Sequence, residues 1–380
     1  MTQLELLVGA QEFWARARGD IAAARDRVLV QAMSFEGDAA GLAVAAAIRA
    51  AGAPDRRVLV DAYTRWVISD RFFRSPLARR DVALQAEARS TEAMFDALVA
   101  SGARVRVTNP VGPLFARYPA RNHKKLIVAD DVAYIGGINF SDHNFAWDDF
   151  MVRLEGVAAA DFLAADFVAT FEGRARPAAL DIGDLALRCL DGRRNLDGFA
   201  GVLALIAGAA RTITVISPYL TFPFTDALAS AARRGVAVRL ITTGASNKPT
   251  VAAYLFDAAA RAGFDVRLLP GMIHLKGMLI DDADLVVGSS NFDFVSLAAE
   301  EEIVAIIREP GLIVAFRTRI IAPALARSAP PRGPPPSRVA GVAARVALEA
   351  AHAFARSAKL APRGARDWSG GLTSSVRRSR

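Results

Sequence analysis

One cysteine, Cys189, stands among 380 residues, so neither an intrachain disulfide nor a cysteine-built zinc site is open to this chain. Histidine is nearly as scarce, four in all, which leaves no material for a histidine-rich metal centre. Long apolar runs are missing too. The most apolar window, Phe199 to Ala210, stops at Arg211 and is too short to cross a bilayer. The start, Met1-Thr2-Gln3-Leu4-Glu5, has no basic stretch leading into an apolar one, so no secretory leader is expected. A basic surface is also largely absent from most of the chain, despite a net charge of +8. Residues 326–380 hold 11 Lys/Arg against 2 Asp/Glu, and the other 36 basic and 37 acidic residues leave 1–325 at −1. The excess charge belongs to the tail. Hydrophobic residues at 53% and charged residues at 23% exclude a disordered or fibrous chain and supply an ample core. The length suits two domains with a remainder. Few cysteines fit the cytoplasm, where the protein is expected, with peripheral contact at the inner membrane.

What the sequence does have is an internal repeat, the feature to seek first. His123-Lys124-Lys125-Leu126-Ile127-Val128-Ala129-Asp130 and His274-Leu275-Lys276-Gly277-Met278-Leu279-Ile280-Asp281 are both His-x-Lys-x4-Asp, 151 residues apart. Each leads to a glycine step and an asparagine: Gly136-Gly137-Ile138-Asn139 and Gly288-Ser289-Ser290-Asn291. The flanks match as well. Arg27–Gln31 answers Thr212–Ile216, Val58–Asp61 answers Val238–Ile241, and Ala103–Val107 answers Phe264–Leu268. These runs read as buried strands, and helical stretches such as Ala39–Ala51 and Thr225–Arg234 lie between them. The pattern predicts an α/β fold of two tandem repeats, each a mostly buried β-sheet flanked by helices, packed about a pseudo-twofold axis. Residues 1–177 would form the first repeat, 178–326 the second, and 327–380 a Pro-rich linker and basic, Ala-rich tail.

The first repeat carries two insertions, near Thr64–Ser90 and at Val111–Ala120. Segments arriving just before active-site residues suit a lid or substrate collar; a solvated helical hairpin is the alternative. Trp66, Phe72, Phe73, Phe115 and Tyr118 read as core packing. In the tail, Arg338–Lys359 reads as a helix with a basic stripe through Arg338, Arg345, Glu349, His352, Arg356 and Lys359. Val339, Val346 and Phe354 lie on the opposite face. Such a stripe can lie on an anionic membrane, although the thin apolar face favours a solubilising tail. His143 reads as a local turn residue and His352 as part of the tail.

On an extended strand, residues i and i+2 point the same way, so His123 with Lys125, and His274 with Lys276, would each face one side together. Two repeats about a pseudo-twofold axis would then bring two imidazoles and two ammoniums to one site. Paired lysines attract phosphate, and Asn139 and Asn291 can add neutral donors. One neutral imidazole can attack phosphorus while a protonated one supplies a proton to the leaving alkoxide. No metal or other cofactor is required, because lysines and amides can stabilise the transition-state oxygens. Two inversions at phosphorus predict overall retention. Asp149 and Glu302, 26 and 28 residues after the respective histidines, would orient the imidazoles. Asp130 and Asp281 read as structural, holding the turn.

These paired motifs resemble those of the phospholipase D superfamily, over nearly all of residues 5–310. Val8-Gly9-Ala10-Gln11-Glu12-Phe13-Trp14, Gln31-Ala32-Met33-Ser34-Phe35-Glu36-Gly37-Asp38, Arg121-Asn122-His123-Lys124-Lys125 and Val152-Arg153-Leu154-Glu155-Gly156 look like bacterial cardiolipin synthase-like proteins. The resemblance implies that His123 and His274 are the nucleophile and the general acid/base, with His123 attacking. It makes Lys125, Lys276, Asn139 and Asn291 phosphate ligands, and places Asp149 and Glu302 as carboxylates hydrogen-bonded to the histidines. Gly136, Gly137, Gly288 and Ser289 belong to its structural motif. Gly277 departs from the pattern, standing where a branched residue is usual. Gly288–Phe294 lacks the Arg or Tyr common in cardiolipin synthases, and their N-terminal membrane hairpin has no counterpart here. The implied activity is metal-independent transphosphatidylation of glycerophospholipids, or hydrolysis to phosphatidic acid. A nuclease of the same superfamily is the alternative, with a non-catalytic membrane-binding module behind it. The implied partner is a phospholipid; nucleic acid is disfavoured by the near-neutral core, and the oligomeric state is left open.

Overall fold

The computed structural model describes residues 2–332, 337–358 and 364–370. Two eight-stranded sheets share one plan over seven strands, the eighth being added at opposite edges. The first runs Gln3–Val8, Phe150–Glu155, Val132–Gly136, Leu126–Ala129, Arg27–Ala32, Asp55–Asp61, Arg104–Thr108 and Ala365–Asp367. The second runs Ala178–Ile182, Leu185–Asp191, Glu301–Ile307, Asp284–Gly288, Gly277–Ile280, Thr212–Ile216, Ala237–Thr243 and Asp265–Leu269. In each sheet three strands pair in parallel, joined through helices, and the motif-bearing hairpin adds antiparallel to them. The matched runs of the sequence occupy matched strands. Their continuous apolar character follows from burial on both faces.

Helices Gly9–Ala23, Ala39–Ala50 and Val82–Ala100 cover the outer face of the first sheet, packing Phe13, Val44 and Phe95 against Val30 and Ile127. Helices Asn195–Gly208, Phe224–Arg233 and Pro249–Ala262 do the same for the second through Phe199, Leu228 and Tyr254. Between the sheets lies a shared core. Val128, Phe150 and Val152 of the first sheet meet Leu279, Leu285 and Ile303 of the second around Phe167 and Phe316, carried by helices Val157–Phe171 and Pro310–Phe316.

Asp130 and Asp281 do one job twice. Each sits in a left-handed turn, φ 50° and 52°, after its motif strand. Asp130 accepts the backbone N–H groups of Arg25, Asp26 and Arg27 at 2.7–2.9 Å. Asp281 accepts those of Ala210, Arg211 and Thr212 at 2.8 Å. Each carboxylate thus caps the incoming end of the central strand beside the motif strand, and stands on the outer edge of the site rather than in it.

The insertion is not a helical hairpin. Val67–Ile68 and Arg71–Phe72 form a short β-hairpin, tight turns follow, and Val82–Ser90 already belongs to helix Val82–Ala100. The tail also differs from the wheel reading. Helix Arg338–Ala358 docks on the second repeat, burying Gly341, Ala344, Leu348 and Ala355, while Val339, Val346 and Phe354 are exposed. A Cβ at Gly341 would stand 2.2 Å from Asp257 Cγ. Arg345 pairs with Asp226 and Glu349, and the His352 ring lies against Phe222 and Phe294. Part of the basic stripe is therefore used on the protein itself. The chain then returns to the first sheet, where Ala365–Asp367 pairs with Arg106–Thr108 and the Trp368 indole N–H donates to Asp96. Residues 333–336 of the Pro-rich linker and Lys359 of the stripe lie outside the described residues.

Gly277 has a packing reason. A Cβ there would stand 2.5 Å from Cζ of Phe316, the ring that also meets Phe150 edge-on. Gly277→Val is expected to lower stability by about 1–3 kcal/mol through overpacking, measured by denaturant unfolding, and Phe316→Ala in the same chain should relieve the clash while leaving its own cavity cost.

Candidate active site

The regular motif strands begin at Leu126 and Gly277, so each His-x-Lys stretch lies just ahead of its strand, on an extended segment that pairs with the opposite repeat. His123 N donates to Glu301 O and Glu301 N to Arg121 O, both at 2.9 Å. In the same way, His274 N donates to Asp148 O at 2.9 Å. These exchanges between halves bring the residue following each acceptor, Glu302 or Asp149, beside the opposite histidine. His123 Nδ1 lies 3.1 Å from Glu302 Oε1, and His274 Nδ1 lies 2.7 Å from Asp149 Oδ2. The pairing is crossed: each imidazole takes its carboxylate from the other repeat.

The glycine steps make room for this. A Cβ on Gly137 would stand 2.4 Å from both Asp149 carboxylate oxygens, and one on Gly288 would stand 2.1 Å from Ile303 O. Ser289, in the place of Gly137, instead donates its hydroxyl to Glu302 and accepts Ile303 N at 3.0 Å. Ser296 Oγ lies 2.7 Å from Glu302 Oε1. Gly136 passes equally close to Phe150 O, 2.5 Å from an added Cβ.

Both imidazoles line one cavity of about 310 Å³, together with Asn139 and Asn291. Asn139 Oδ1 accepts Ser34 N at 3.2 Å, while Asn291 Oδ1, buried, has no hydrogen-bond partner among the described residues. The lysines stand deeper than the side-by-side expectation had them. Lys125 Nζ donates back to His123 O at 2.7 Å and Lys276 Nζ to His274 O at 2.5 Å, and both side chains are fully buried. Asp130 and Asp281 are not brought to the cavity. Sequence reasoning missed Tyr63, Asp70, Tyr219, Asn247, Lys248 and Asp293 on its walls, which arrive on loops with no spacing signature. Lys248 Nζ sits 3.8 Å from the centre of the Tyr219 ring, and Trp147, on the cavity wall, lies against His274. His143 stands by Ser141 and Asn144 in a short turn of helix. Of the aromatic group, Phe72 and Tyr118 line the cavity, whereas Phe73 is core.

Burial controls the charges. It pushes His123 down to about 4, assisted by the neighbouring Lys125 ammonium and opposed by Glu302. His274 falls well below the usual range for the same first reason, with Lys276 and Lys125 adding to it. Burial lowers Lys125 to about 8 and Lys276 to about 7, and raises Asp149 to about 7 against the pull of Lys276. For Glu302 burial acts upward, but His123, Lys125 and the Ser289 hydroxyl together hold it below the ordinary carboxylate value. Both rings are therefore neutral near pH 7, and an anion entering the cavity favours protons on lysines and imidazoles alike. His123, Glu300 and Glu302 present metal-capable atoms within 4.8 Å of one another; the Glu302 oxygens are already engaged by His123, Ser289 and Ser296.

The sequence and the fold find counterparts in known proteins. A family described as "Cardiolipin synthase, PLD-like domain" matches residues 202–321. The minor cardiolipin synthase ClsB of Bacillus subtilis is 31% identical over 228 residues, 53% of this chain and 56% of that one. Cardiolipin synthase B of Escherichia coli is 27% identical over 344 residues, 81% of this chain and 76% of that one. The crystal structure of a phosphatidylserine synthase from Haemophilus influenzae superposes with a TM-score of 0.67 at 17% identity, covering 93% of this chain and 95% of that one; it shows that the fold is shared. These matches make the chain similar to phospholipase D-superfamily proteins of the cardiolipin synthase type, and its aligned region spans just over half of the Bacillus relative and three quarters of the Escherichia one.

The charge balance of the site can be read directly. In the free protein the His123 ring is expected to titrate by NMR with a midpoint near 4. Glu302→Gln removes the anion that favours the imidazolium, so its midpoint should fall further; a rise would contradict the crossed pair.

Proposed function

We propose that the protein is a metal-independent phosphatidyltransferase of glycerophospholipids, working through a phosphohistidine. The observation that carries this reading is the convergence of two crossed His–carboxylate pairs, one from each repeat, on a single cavity. Nδ1 of each ring is held by its carboxylate, which leaves Nε2 as the reacting nitrogen. His123 is assigned the attack, because the anion of Glu302, fixed by two serines, stabilises the positive charge its ring gains on bonding to phosphorus. His274, paired with Asp149 near neutrality, is suited to proton transfer. The bound phosphodiester anion favours a proton on Nε2 of His274; Nε2 of His123 then bonds to phosphorus, the P–O bond to the leaving alcohol breaks, and the His274 imidazolium gives that oxygen its Nε2 proton, becoming neutral. The neutral His274 then takes the proton of an incoming hydroxyl, whose oxygen bonds to phosphorus as the P–N bond breaks. Water as acceptor yields phosphatidic acid, and a lipid glycerol yields a cardiolipin-type diester. Lys125, Lys276, Asn139 and Asn291 are the proposed donors to the non-bridging oxygens, with Asp130, Asp281, Gly136, Gly137, Gly288 and Ser289 keeping the frame.

The repeat boundaries proposed with this reading are 1–177 and 178–326. Among the described residues no helix is long and apolar enough to cross a membrane, and a peripheral place at the inner membrane is proposed, with Arg338 and Arg356 of the tail toward anionic lipid.

Incubation with labelled phosphatidylglycerol and with single-stranded DNA, in EDTA, tests the proposal. Lipid turnover is expected, and DNA cleavage without lipid turnover would overturn it. His123→Ala and His274→Ala should each lower turnover by about 10³-fold or more with unchanged unfolding midpoints. Lys125 and Lys276 bind phosphate only when protonated, and their values of about 8 and 7 place the loss on the alkaline side. kcat/KM should therefore fall as pH rises through about 7–8.

A further inference from the structure

The cavity mouth has a wall that the mechanism does not use. From Tyr118 and Phe72, which line the cavity, a chain of ring contacts runs outward. Phe72 meets Tyr118 at 5.8 Å, Phe115 meets Phe72 at 6.5 Å, and Trp66 meets Phe115 at 4.7 Å. It ends in solvent. Leu114 is 98% exposed, Leu77 82%, Phe72 46% and Phe115 39%. Burying such groups is what a globular chain ordinarily does with them, and here Phe72 lines the cavity while Leu114 and Leu77 stand one and five residues along the chain from the Phe115 and Phe72 rings. Their setting is cationic. Residues 64–80 and 111–120 together hold six arginines and a single acidic residue, Asp70, whereas residues 1–325 as a whole carry −1. Arg79 and Arg80 are exposed beside Leu77, Arg71 beside Phe72 is paired with Asp81 at 2.6 Å, and the Arg74 guanidinium lies 4.8 Å from the centre of the Trp66 ring.

We infer that this collar docks the cavity mouth onto an anionic lipid bilayer, Leu114, Phe115 and Leu77 entering the headgroup boundary while the arginines meet lipid phosphates. Apolar tips ringed by basic residues bind interfaces through these two forces together. A nucleic acid could satisfy the arginines but would leave the aliphatic Leu114 and Leu77 without a role. The consequence is that a lipid phosphodiester reaches the histidines by a short rise from the bilayer into the cavity, with its acyl chains staying in the membrane. The inference rests on the lipid reading above, and it concerns a surface separate from the tail helix.

Binding is read without turnover, on His123→Ala protein, by flotation with phosphatidylglycerol vesicles and with phosphatidylcholine vesicles. Leu114 touches little else, so Leu114→Asp should fold normally; it is expected to weaken binding to phosphatidylglycerol vesicles by about 10-fold or more, the loss of one inserted leucine side chain. Arg79→Glu with Arg80→Glu should weaken it similarly and flatten its salt dependence. A polarity-sensitive dye on Leu114→Cys, the native Cys189 being buried, should shift to the blue on these vesicles. In otherwise native protein, Leu114→Asp should retain turnover of dibutanoyl phosphatidylglycerol dissolved as monomers while losing turnover of vesicles. The docking inference falls if Leu114→Asp binds vesicles as wild type does, if the dye does not shift, or if Arg338→Glu with Arg356→Glu in the tail abolishes binding that the collar variants leave intact. It falls as well if single-stranded DNA, and not vesicles, loses affinity in the arginine variant. Vesicle binding that behaves as expected in a protein that turns over no lipid would leave docking standing and remove the proposed activity instead.

Discussion

Two backbone exchanges between the repeats govern this molecule. Where His123 N meets Glu301 O and His274 N meets Asp148 O, each half hands the other a carboxylate one residue further on. A lone repeat would hold an imidazole with no orienting partner and a carboxylate with nothing to orient. The shared apolar core around Phe167 and Phe316 is therefore part of the chemistry as much as of the stability, because it fixes the register in which the exchanges occur.

That register has an electrostatic cost. Lys125, Lys276, Asp149 and Glu302 are nearly or wholly buried, and burying ions is expensive unless they are paired and hydrogen-bonded. The site meets the cost by mixing signs: two depressed lysines stand beside carboxylates of which one is held ionised and the other sits near neutrality. The phosphodiester of the proposed reaction would complete the balance. Ordinary stabilising contacts hold the motif strands away from these charges, through the Asp130 and Asp281 turns and the Phe316 contact over Gly277.

Much of this was legible in the sequence. Two copies of His-x-Lys-x4-Asp in matched context exposed the duplication, and apolar runs at matching offsets located the parallel strands. What stayed hidden was geometric. Offsets of 26 and 28 residues suit a carboxylate for either histidine, so the crossing could not be read from spacing. Alternation along a strand did not foresee Lys125 and Lys276 turning back to their own histidine carbonyls, because the motif precedes the regular strand. The wheel for the tail found a basic stripe with Val339 and Phe354 opposite it and favoured a solubilising tail, so the docking of the helix on the second repeat was not foreseen. The helix instead sits on its small residues, Gly341, Ala344 and Ala355, where backbones can approach closely. Cavity walls such as Tyr219 and Lys248 come from loops, whose placement depends on the whole fold.

The return of the tail to the first sheet bears on how the chain matures. Among the described residues Arg104–Thr108 takes its outer neighbour from Ala365–Asp367, a partner 261 residues away across the Arg106–Asp367 pair. Until that pairing forms, the strand presents an open edge, the kind of surface that invites pairing with other chains. Ala365–Asp367 closes it like a latch, so a chain lacking this strand would keep the crossed pairs but leave its flank unsealed.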